Sequence, residues 1–196
     1  MRPNITEQRL ERIRQVLRQR QGDLTLIMDN IWDPHNVSAV LRSCDAFGVL
    51  RVHLYYTSSE WPELGKKSSA SATKWVERVR HDDAEEMVGG LRAQGYQILR
   101  TGFSEGARTV HEVDLSGPTA VILSNEHRGT SPELVSLVPD ELYIPMYGMV
   151  QSFNVSVAAA LILYEASTQR RAAGAYDAPT LSGAELVEFE RLWSER

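Results

Sequence analysis

Three short segments of this 196-residue chain carry polar residues of the kinds that take part in chemistry: 36–42, 124–129 and 152–154. The first ends at Arg42, whose guanidinium keeps its positive charge at any ordinary pH. The second places a carboxylate, Glu126, among small polar residues. The third precedes an apolar helix whose first N–H groups have no intrahelical partners and point toward whatever binds there. These residue types suit a polar or anionic ligand.

Each segment also permits a purely structural interpretation. On that interpretation Arg42 is a solvated side chain on the polar face of a helix, and Asn36 caps the same helix. Residues 124–129 would be an ordinary loop between a strand and a helix. Residues 152–154 would cap a core helix, although the loop before it carries large apolar side chains that are costly to expose. These side chains are Met146, Tyr147, Met149 and Phe153.

Hydrophobic periodicity predicts an alternation of strands and helices around these segments. Helices are expected where apolar residues recur three or four positions apart, and strands where short apolar runs end at turn-forming residues. The predicted helices cover residues 6–20, 37–47, 83–93, 131–137, 153–170 and 184–194. The predicted strands cover residues 24–28, 51–56, 96–100, 119–124 and 141–144, and residues 57–74 are predicted to form a loop.

Two of the predicted strands, 24–28 and 121–123, are apolar on both faces. This is typical of a mostly parallel sheet with helices on both faces, so we predict an α/β fold. In such sheets ligands bind beyond the carboxyl ends of the strands. Neither the G-x-x-x-x-G-K-[ST] nor the G-x-G-x-x-G spacing occurs, so no motif supports a nucleotide hydrolase or a dinucleotide oxidoreductase.

Composition excludes several classes of protein. Hydrophobic residues make up 42% and charged residues 24% of the chain, which excludes wholesale disorder. No apolar run is long enough to predict a membrane span. The single cysteine, Cys44, excludes an internal disulfide and a cysteine-rich zinc site, and no metal site is expected. With an N-terminus that lacks a signal-peptide pattern, these features predict a cytoplasmic protein.

The charge distribution is uneven. The formal net charge of −5 argues weakly against a nucleic-acid partner. However, residues 1–22 contain six arginines and two acids, and residues 64–81 contain five basic residues and one acid, a net charge of +4 in each segment. These clusters are either solvated faces or an electrostatic footprint for a polyanion.

Residues 36–42, 121–133 and 144–158 resemble, in this order, the three motifs of the SpoU (TrmH-type) branch of the SPOUT RNA 2′-O-methyltransferases. The third motif, Ile-Pro-Met-x-Gly-x-x-x-Ser-x-Asn-Val-Ser-Val-Ala, is the most specific. The resemblance covers about residues 24–170. The arginine-rich N-terminal helix and the short C-terminal extension are similar to those of the tRNA (guanosine-18) 2′-O-methyltransferases in particular. Departures are Ser124 in place of a frequent Gly, Phe153 in place of the usual Leu, and a different arginine spacing at 170–171.

The resemblance implies a deep trefoil knot within a methyltransferase domain at 23–171, with helical extensions at 1–22 and 172–196. It implies S-adenosylmethionine as cofactor, tRNA as substrate and a homodimer, with neither DNA nor a membrane as partner. The implied catalytic residues are Asn36, Arg42, Glu126, Ser152 and Asn154. The implied cofactor-binding residues are Thr101, Gly102, Ser124, Asn125, Gly129, Ile144, Met146 and Phe153. The implied RNA contacts are Arg9, Arg12, Arg18, Arg20, Lys66, Lys67, Lys74, Arg170 and Arg171.

The implied reaction moves a methyl group from a sulfonium to a ribose 2′-hydroxyl. The family assigns proton removal to the arginine that matches Arg42. Because a guanidinium rarely loses its proton, the alternative is that Arg42 anchors an RNA phosphate and stabilises the developing alkoxide. Other functions also stay open: the same reaction at the tRNA wobble position or on ribosomal RNA, a catalytically silent RNA-binding relative, and a small-molecule α/β enzyme.

Overall fold

The structure is a computed structural model that describes residues 5–62 and 72–196, and in these residues seven strands form one parallel sheet. The strands are β1 (Leu24–Asp29), β2 (Arg51–Tyr55), β3 (Glu77–His81), β4 (Gln97–Thr101), β5 (Arg108–Thr109), β6 (Thr119–Leu123) and β7 (Glu141–Tyr143). The helices are α1 (Glu7–Arg18), α2 (Pro34–Ala46), α3 (Ala84–Ala93), α4 (Pro132–Leu137), α5 (Val155–Ala172) and α6 (Gly183–Ser194), and a 3-10 turn spans Ala72–Lys74.

The strand order β3-β2-β1-β6-β4-β7-β5 places β1 and β6 side by side inside the sheet. Every residue of both strands is buried, which explains why their sequences are apolar on both faces. One core cluster joins the sheet to α2 and α5, and a second joins its other face to α3 and α4. The predicted α/β architecture is therefore confirmed, while the trefoil knot stays a prediction.

A third apolar cluster lies between the two terminal helices. Ile13 and Leu17 of α1 are buried against Phe189 and Trp193 of α6, with Leu181 beside them. The guanidinium and carboxylate of Arg14 and Glu190 add an ion pair of 2.9 Å between the same helices. The N-terminal and C-terminal segments of the described chain thus form one packed unit.

The prediction of five strands was wrong in number, because β3 and β5 were missed. β3 lies at one edge of the sheet, where the arginines at 78 and 80 are exposed and a single valine between them faces inward. β5 has only two residues, at the other edge. Apolar periodicity reports burial, and edge strands this short or this charged bury too little to produce a pattern.

The prediction that Asn36 caps α2 was also wrong. The helix begins two residues earlier, at Pro34, and the side chain of Asp33 accepts a hydrogen bond of 2.8 Å from the backbone N–H of His35. Proline suits the first helical position because it needs no N–H partner there. Asn36 therefore lies within the first turn, where its amide is available for contacts outside the helix.

Candidate functional site

A cavity of about 630 Å³ lies beyond the carboxyl ends of β4, β6 and β7, against the start of α5. This is the edge of a parallel sheet at which ligands bind. Of the eight residues predicted to bind a cofactor, seven line the cavity: Thr101, Gly102, Ser124, Asn125, Gly129, Ile144 and Phe153. The eighth, Met146, is half-buried just after the lining residues of β7 and does not line the cavity.

The wall of the cavity next to β4 requires a glycine at position 102. A Cβ atom added there would lie 2.5 Å from the carboxyl carbon of Glu141, which is closer than real Cβ contacts come. Glu141 is buried; its carboxylate forms an ion pair with Arg100 and accepts a hydrogen bond of 2.7 Å from the backbone N–H of Ser104. Burial raises the pKa of Glu141, but these contacts outweigh burial and lower the pKa overall. The carboxylate therefore stays charged beside the cavity.

Three hydroxyl groups connect the loops that follow β4 and β6. The Ser124 hydroxyl lies 3.1 Å from the Thr101 hydroxyl and 2.6 Å from the Thr130 hydroxyl, and Thr101 also donates to the carbonyl of Ile122 at 3.2 Å. Ser124 stands where many members of the resembled family have glycine. In this chain its side chain is half-buried and holds the two loops together.

The carboxylate of Glu126 joins the three polar segments at the cavity. One oxygen accepts a hydrogen bond of 2.8 Å from the side-chain amide of Asn36, and the other accepts 2.9 Å from the backbone N–H of Trp32. The side-chain oxygen of Asn36 in turn accepts a hydrogen bond of 3.0 Å from the side-chain amide of Asn154. The side-chain oxygen of Asn154 caps α5 by accepting a hydrogen bond from the backbone N–H of Ser156. The sequence predicted Glu126, Asn36 and Asn154 as site residues, and the fold brings them into one network.

The sequence did not single out Asp29 or Asn30, which hold the loop after β6 in place through hydrogen bonds to Ser131 and Asn125. Asp29 is buried at the end of β1 and accepts hydrogen bonds of 2.6 and 2.5 Å from the backbone and hydroxyl of Ser131. Burial raises the pKa of Asp29, and these bonds offset that rise only in part. Ser131 occupies the N-cap position of α4, but its hydroxyl binds Asp29 rather than the helix.

Asn30 fixes the loop that leads from β1 to α2. Its φ of 49° is left-handed, a conformation that Asn tolerates better than most residues. Its side-chain oxygen accepts hydrogen bonds of 2.9 to 3.1 Å from the backbone N–H groups of Thr57, Ser58 and Ser59. The backbone carbonyl oxygen of Asn30 accepts a hydrogen bond of 2.5 Å from the side-chain amide of Asn125. A polar pair at the end of a fully buried strand is the signal by which Asp29 and Asn30 could have been found.

The other two residues predicted as catalytic differ in position. Ser152 lines the cavity. Arg42 does not line it; it is exposed on α2, on the side opposite the buried residues Val37, Leu41 and Cys44. With the described residues Arg42 forms no hydrogen bond or ion pair, so its guanidinium can engage a ligand.

The residues predicted to contact RNA fall into three groups. Exposed are Arg9, Arg12, Arg18, Lys74 and Arg171. Lys66 and Lys67 lie outside the described residues. Buried are Arg20, 1% exposed, and Arg170, 0% exposed, and their assignment as RNA contacts is corrected.

Both buried arginines have ion-pair partners within the protein, and of their side-chain nitrogens only the Nε of Arg20 has no acceptor among the described residues. Arg20 pairs with Asp45, donates 2.9 Å to the carbonyl of Val49 and lies over the ring of Trp193. Arg170 pairs with Asp23 at 2.6 Å and donates to the carbonyl of Leu115 at 3.1 Å. A buried guanidinium persists only with such partners, so both arginines hold the fold together.

The described residues contain neither a cluster of metal-binding side chains nor a helix that could span a membrane. Across residues 5–62 and 72–196, no group of three or more His, Cys, Asp or Glu side chains is arranged to hold a metal ion. No helix in the described part of the chain has the length and hydropathy needed to cross a membrane.

Comparison with known proteins gives matches over most of the chain. The family model of the SpoU rRNA Methylase family matches residues 23–164. A tRNA (guanosine(18)-2′-O)-methyltransferase of Thermus thermophilus is 47% identical over 176 residues, 90% of each chain. The crystal structure of the A. aeolicus TrmH/SpoU tRNA modifying enzyme superposes with a TM-score of 0.89 at 39% identity, covering 96% of this chain and 95% of that one.

A more distant structure was determined with a ligand. It is the SpoU methyltransferase AviRb from Streptomyces viridochromogenes in complex with the cofactor AdoMet, with a TM-score of 0.70 at 26% identity. It covers 78% of this chain and 62% of the AviRb chain.

Proposed function

Because this chain belongs to the SpoU rRNA methylase family, we propose that it transfers a methyl group from S-adenosylmethionine to a ribose 2′-hydroxyl of tRNA, at guanosine 18. The observation that carries the proposal is the network of Glu126, Asn36 and Asn154 at the mouth of a ligand-sized cavity. The relatives named for this reaction support guanosine 18 as the target, since this chain aligns with most of their length.

The cavity suits S-adenosylmethionine in size and in character. Its volume of about 630 Å³ lies in the range of about 300–1,000 Å³ that small-molecule sites occupy. Apolar side chains such as Leu123, Leu142 and Phe153 line it together with loop backbone and hydroxyl groups. When bound, the cofactor supplies a methyl group already activated by a sulfonium. Gly102 and the Thr101–Ser124–Thr130 hydroxyl groups shape the walls that hold it.

The protein's own side chains align the ribose and assist the loss of the proton from its 2′-hydroxyl. Glu126 fixes the Asn36 amide, and Asn36 fixes Asn154 beside Ser152, so these groups present a rigid polar edge to the ribose. Arg42, free of partners among the described residues, binds an RNA phosphate and stabilises negative charge on the 2′-oxygen while the proton of that hydroxyl passes to solvent. Preorganisation of these groups lowers the barrier to methyl transfer.

The RNA-binding surface comprises the exposed arginines of α1, Lys74 and the end of α5. Arg9, Arg12 and Arg18 of α1 are solvent-exposed, as is Arg171 at the end of α5. Arg12 and Arg171 line the same cleft of about 640 Å³, so the extension at 1–22 and the end of the domain at 23–171 act on one ligand. Recognition through phosphates and the reacting 2′-hydroxyl makes DNA a poor substrate.

The protein acts as a homodimer in the cytoplasm. Support for the dimer comes from α5, where Val157, Leu161 and Tyr164 recur four and three residues apart and are 38–60% exposed. Such a stripe lies on one face of a helix and is costly to leave in water. A second copy of the chain covers this stripe.

Methyl transfer to two tRNA transcripts tests the proposal. The purified protein is incubated with S-adenosylmethionine labelled in the methyl group and with an unmodified transcript, or with one that carries 2′-deoxyguanosine at position 18. Label is expected in the first transcript only, since the second lacks the accepting oxygen. Label in neither transcript, or equal label in both, would refute the proposal.

A further inference from the structure

Trp32 is an exposed aromatic residue at the site that neither the motifs nor the proposed mechanism uses. It lies in the loop between β1 and α2, and 65% of its surface is exposed. The other tryptophans of the chain, Trp61, Trp75 and Trp193, are half-buried or buried and pack against aromatic neighbours. An indole left in water at the edge of a polar site requires a reason.

The backbone that carries Trp32 is fixed on both sides. Before it, Asn30 is held by three backbone N–H groups, and Ile31 is buried with its carbonyl bound by the Tyr56 hydroxyl at 3.0 Å. After it, Asp33 caps α2 and Pro34 begins that helix. The backbone that carries the indole is therefore held in place, so that little backbone entropy is lost when the indole binds a partner.

Trp32 is also attached directly to the proposed catalytic network. Its backbone N–H donates to one oxygen of the Glu126 carboxylate, whose other oxygen accepts from Asn36. Trp32 and Asn36 therefore share Glu126, and Asn36 is a residue that positions the ribose in the proposed mechanism. Because the Trp32 backbone and the Asn36 amide bind the two oxygens of one carboxylate, these two residues lie close together at the site.

We propose that Trp32 stacks on a base of the RNA substrate next to the reacting ribose, which makes it a substrate-binding residue of this site. The inference rests on the proposed function, which supplies an RNA substrate. An exposed aromatic face binds any base, since every base has a π-face, and it therefore adds affinity without reading sequence. Base unstacking and capture on aromatic rings is a common way in which proteins hold single-stranded RNA.

Three variants at position 32 test the inference in the full-length protein. Trp32→Leu keeps an apolar side chain without a π-face, Trp32→Ala removes both, and Trp32→Phe keeps a smaller ring. We expect the KM for tRNA to rise about 5- to 140-fold in the Leu and Ala variants, with a smaller rise in the Phe variant. The affinity for S-adenosylmethionine, measured by calorimetry, should stay unchanged in all three.

Transcripts with a single abasic nucleotide at or beside the methylated position identify the stacked base. One abasic substitution is expected to raise the KM of the wild-type protein and to leave the KM of Trp32→Leu unaltered, because the lost interaction is the same. Equal effects on both proteins at every position would overturn the inference.

Several outcomes separate the inference from the proposed function. A wild-type protein that methylates no RNA refutes the function itself. A wild-type protein that methylates tRNA, together with a Trp32→Leu variant of unchanged KM, refutes only the role of Trp32. A change of sedimentation coefficient or of cofactor affinity in Trp32→Leu would assign the indole to an interface between copies or to the cofactor site, and would likewise overturn the inference.

Discussion

At the scale of single residues, the two oxygens of Glu126 bind two neighbouring parts of the chain. One oxygen holds the loop before α2 through the Trp32 backbone, and the other holds the first turn of α2 through the Asn36 amide. This arrangement depends on Asp33, because Asp33 takes the cap of α2 and leaves Asn36 free. Both residues are good helix caps by type. Pro34 favours Asp33, because proline suits the first helical position, and Asn36 is then available to bind Glu126.

Replacement of Arg42 by alanine tests its role in the reaction. Because Arg42 is exposed and does not line the cavity, we expect Arg42→Ala to bind S-adenosylmethionine as the wild type does. Its kcat with tRNA should fall about 10²- to 10³-fold, the usual effect of removing a group that stabilises developing charge. Single-turnover assays and calorimetry measure the two quantities. Retained turnover would exclude both the proton-removal and the phosphate-anchor role.

Replacement of Gly102 by alanine tests the shape of the cofactor cavity. The added Cβ would collide with the buried carboxylate of Glu141, which Arg100 and Ser104 hold in place. We expect weaker binding of S-adenosylmethionine and a loss of about 1–3 kcal/mol in the free energy of unfolding. Gly106→Ala is the matched control, since no atom lies within 4 Å of a Cβ at that position. Equal behaviour of the two variants would contradict the described wall.

At the scale of elements, the sequence predicted the interior strands and the helices well and the sheet edges poorly. β1 and β6 are buried throughout, so their apolar runs report their position directly. β3 carries alternating charges at an edge, and β5 is too short to form a pattern. Helix periodicity likewise indicated which face of α1 is buried, because Ile13 and Leu17 are its core residues.

The burial of individual arginines could not be predicted from periodicity or charge. Arg170 and Arg171 are neighbours at the end of α5, yet one is buried and the other exposed. Arg170 is buried because Asp23 and the Leu115 carbonyl, which come from distant parts of the chain, satisfy its guanidinium. Only the tertiary fold brings these partners together.

This adjacent pair provides a matched test of structural and RNA-binding roles. Arg170→Ala leaves the half-buried carboxylate of Asp23 and the Leu115 carbonyl without the donor that they share, so we expect a loss of about 1–3 kcal/mol in the free energy of unfolding. Arg171→Ala should unfold within about 0.5 kcal/mol of the wild type and bind tRNA more weakly. Urea unfolding and filter binding measure these effects. The reverse pattern would restore Arg170 as an RNA contact.

At the scale of the whole molecule, the net charge of −5 conceals a basic surface on an acidic body. The exposed arginines of α1 are held in place by the cluster that α1 shares with α6, so the two ends of the chain cooperate in presenting positive charge. The sequence indicated the charge cluster. It did not indicate that the C-terminal helix supports it, since packing between distant segments leaves no local pattern.

The apolar stripe on α5 is the basis of a prediction about assembly. Leu161→Arg places a charge in the middle of the stripe, and we expect it to convert the proposed dimer into a monomer, because burying an unpaired charge is unfavourable. Sedimentation velocity measures the change. Val187→Arg, at an exposed apolar position of α6, should leave the dimer intact. A Leu161→Arg variant that sediments as the wild type does would contradict this interface.

Mass-spectrometric mapping of ribose methylation in tRNA from a strain that lacks this protein tests the central claim most directly. We expect 2′-O-methylguanosine at position 18 to be present in the parent strain and absent from the deletion strain. The wild-type gene should restore it, and the Arg42→Ala variant should not. Unchanged methylation of guanosine 18 in the deletion strain would contradict the account, and so would the loss of a ribose methyl group from another nucleotide in place of guanosine 18.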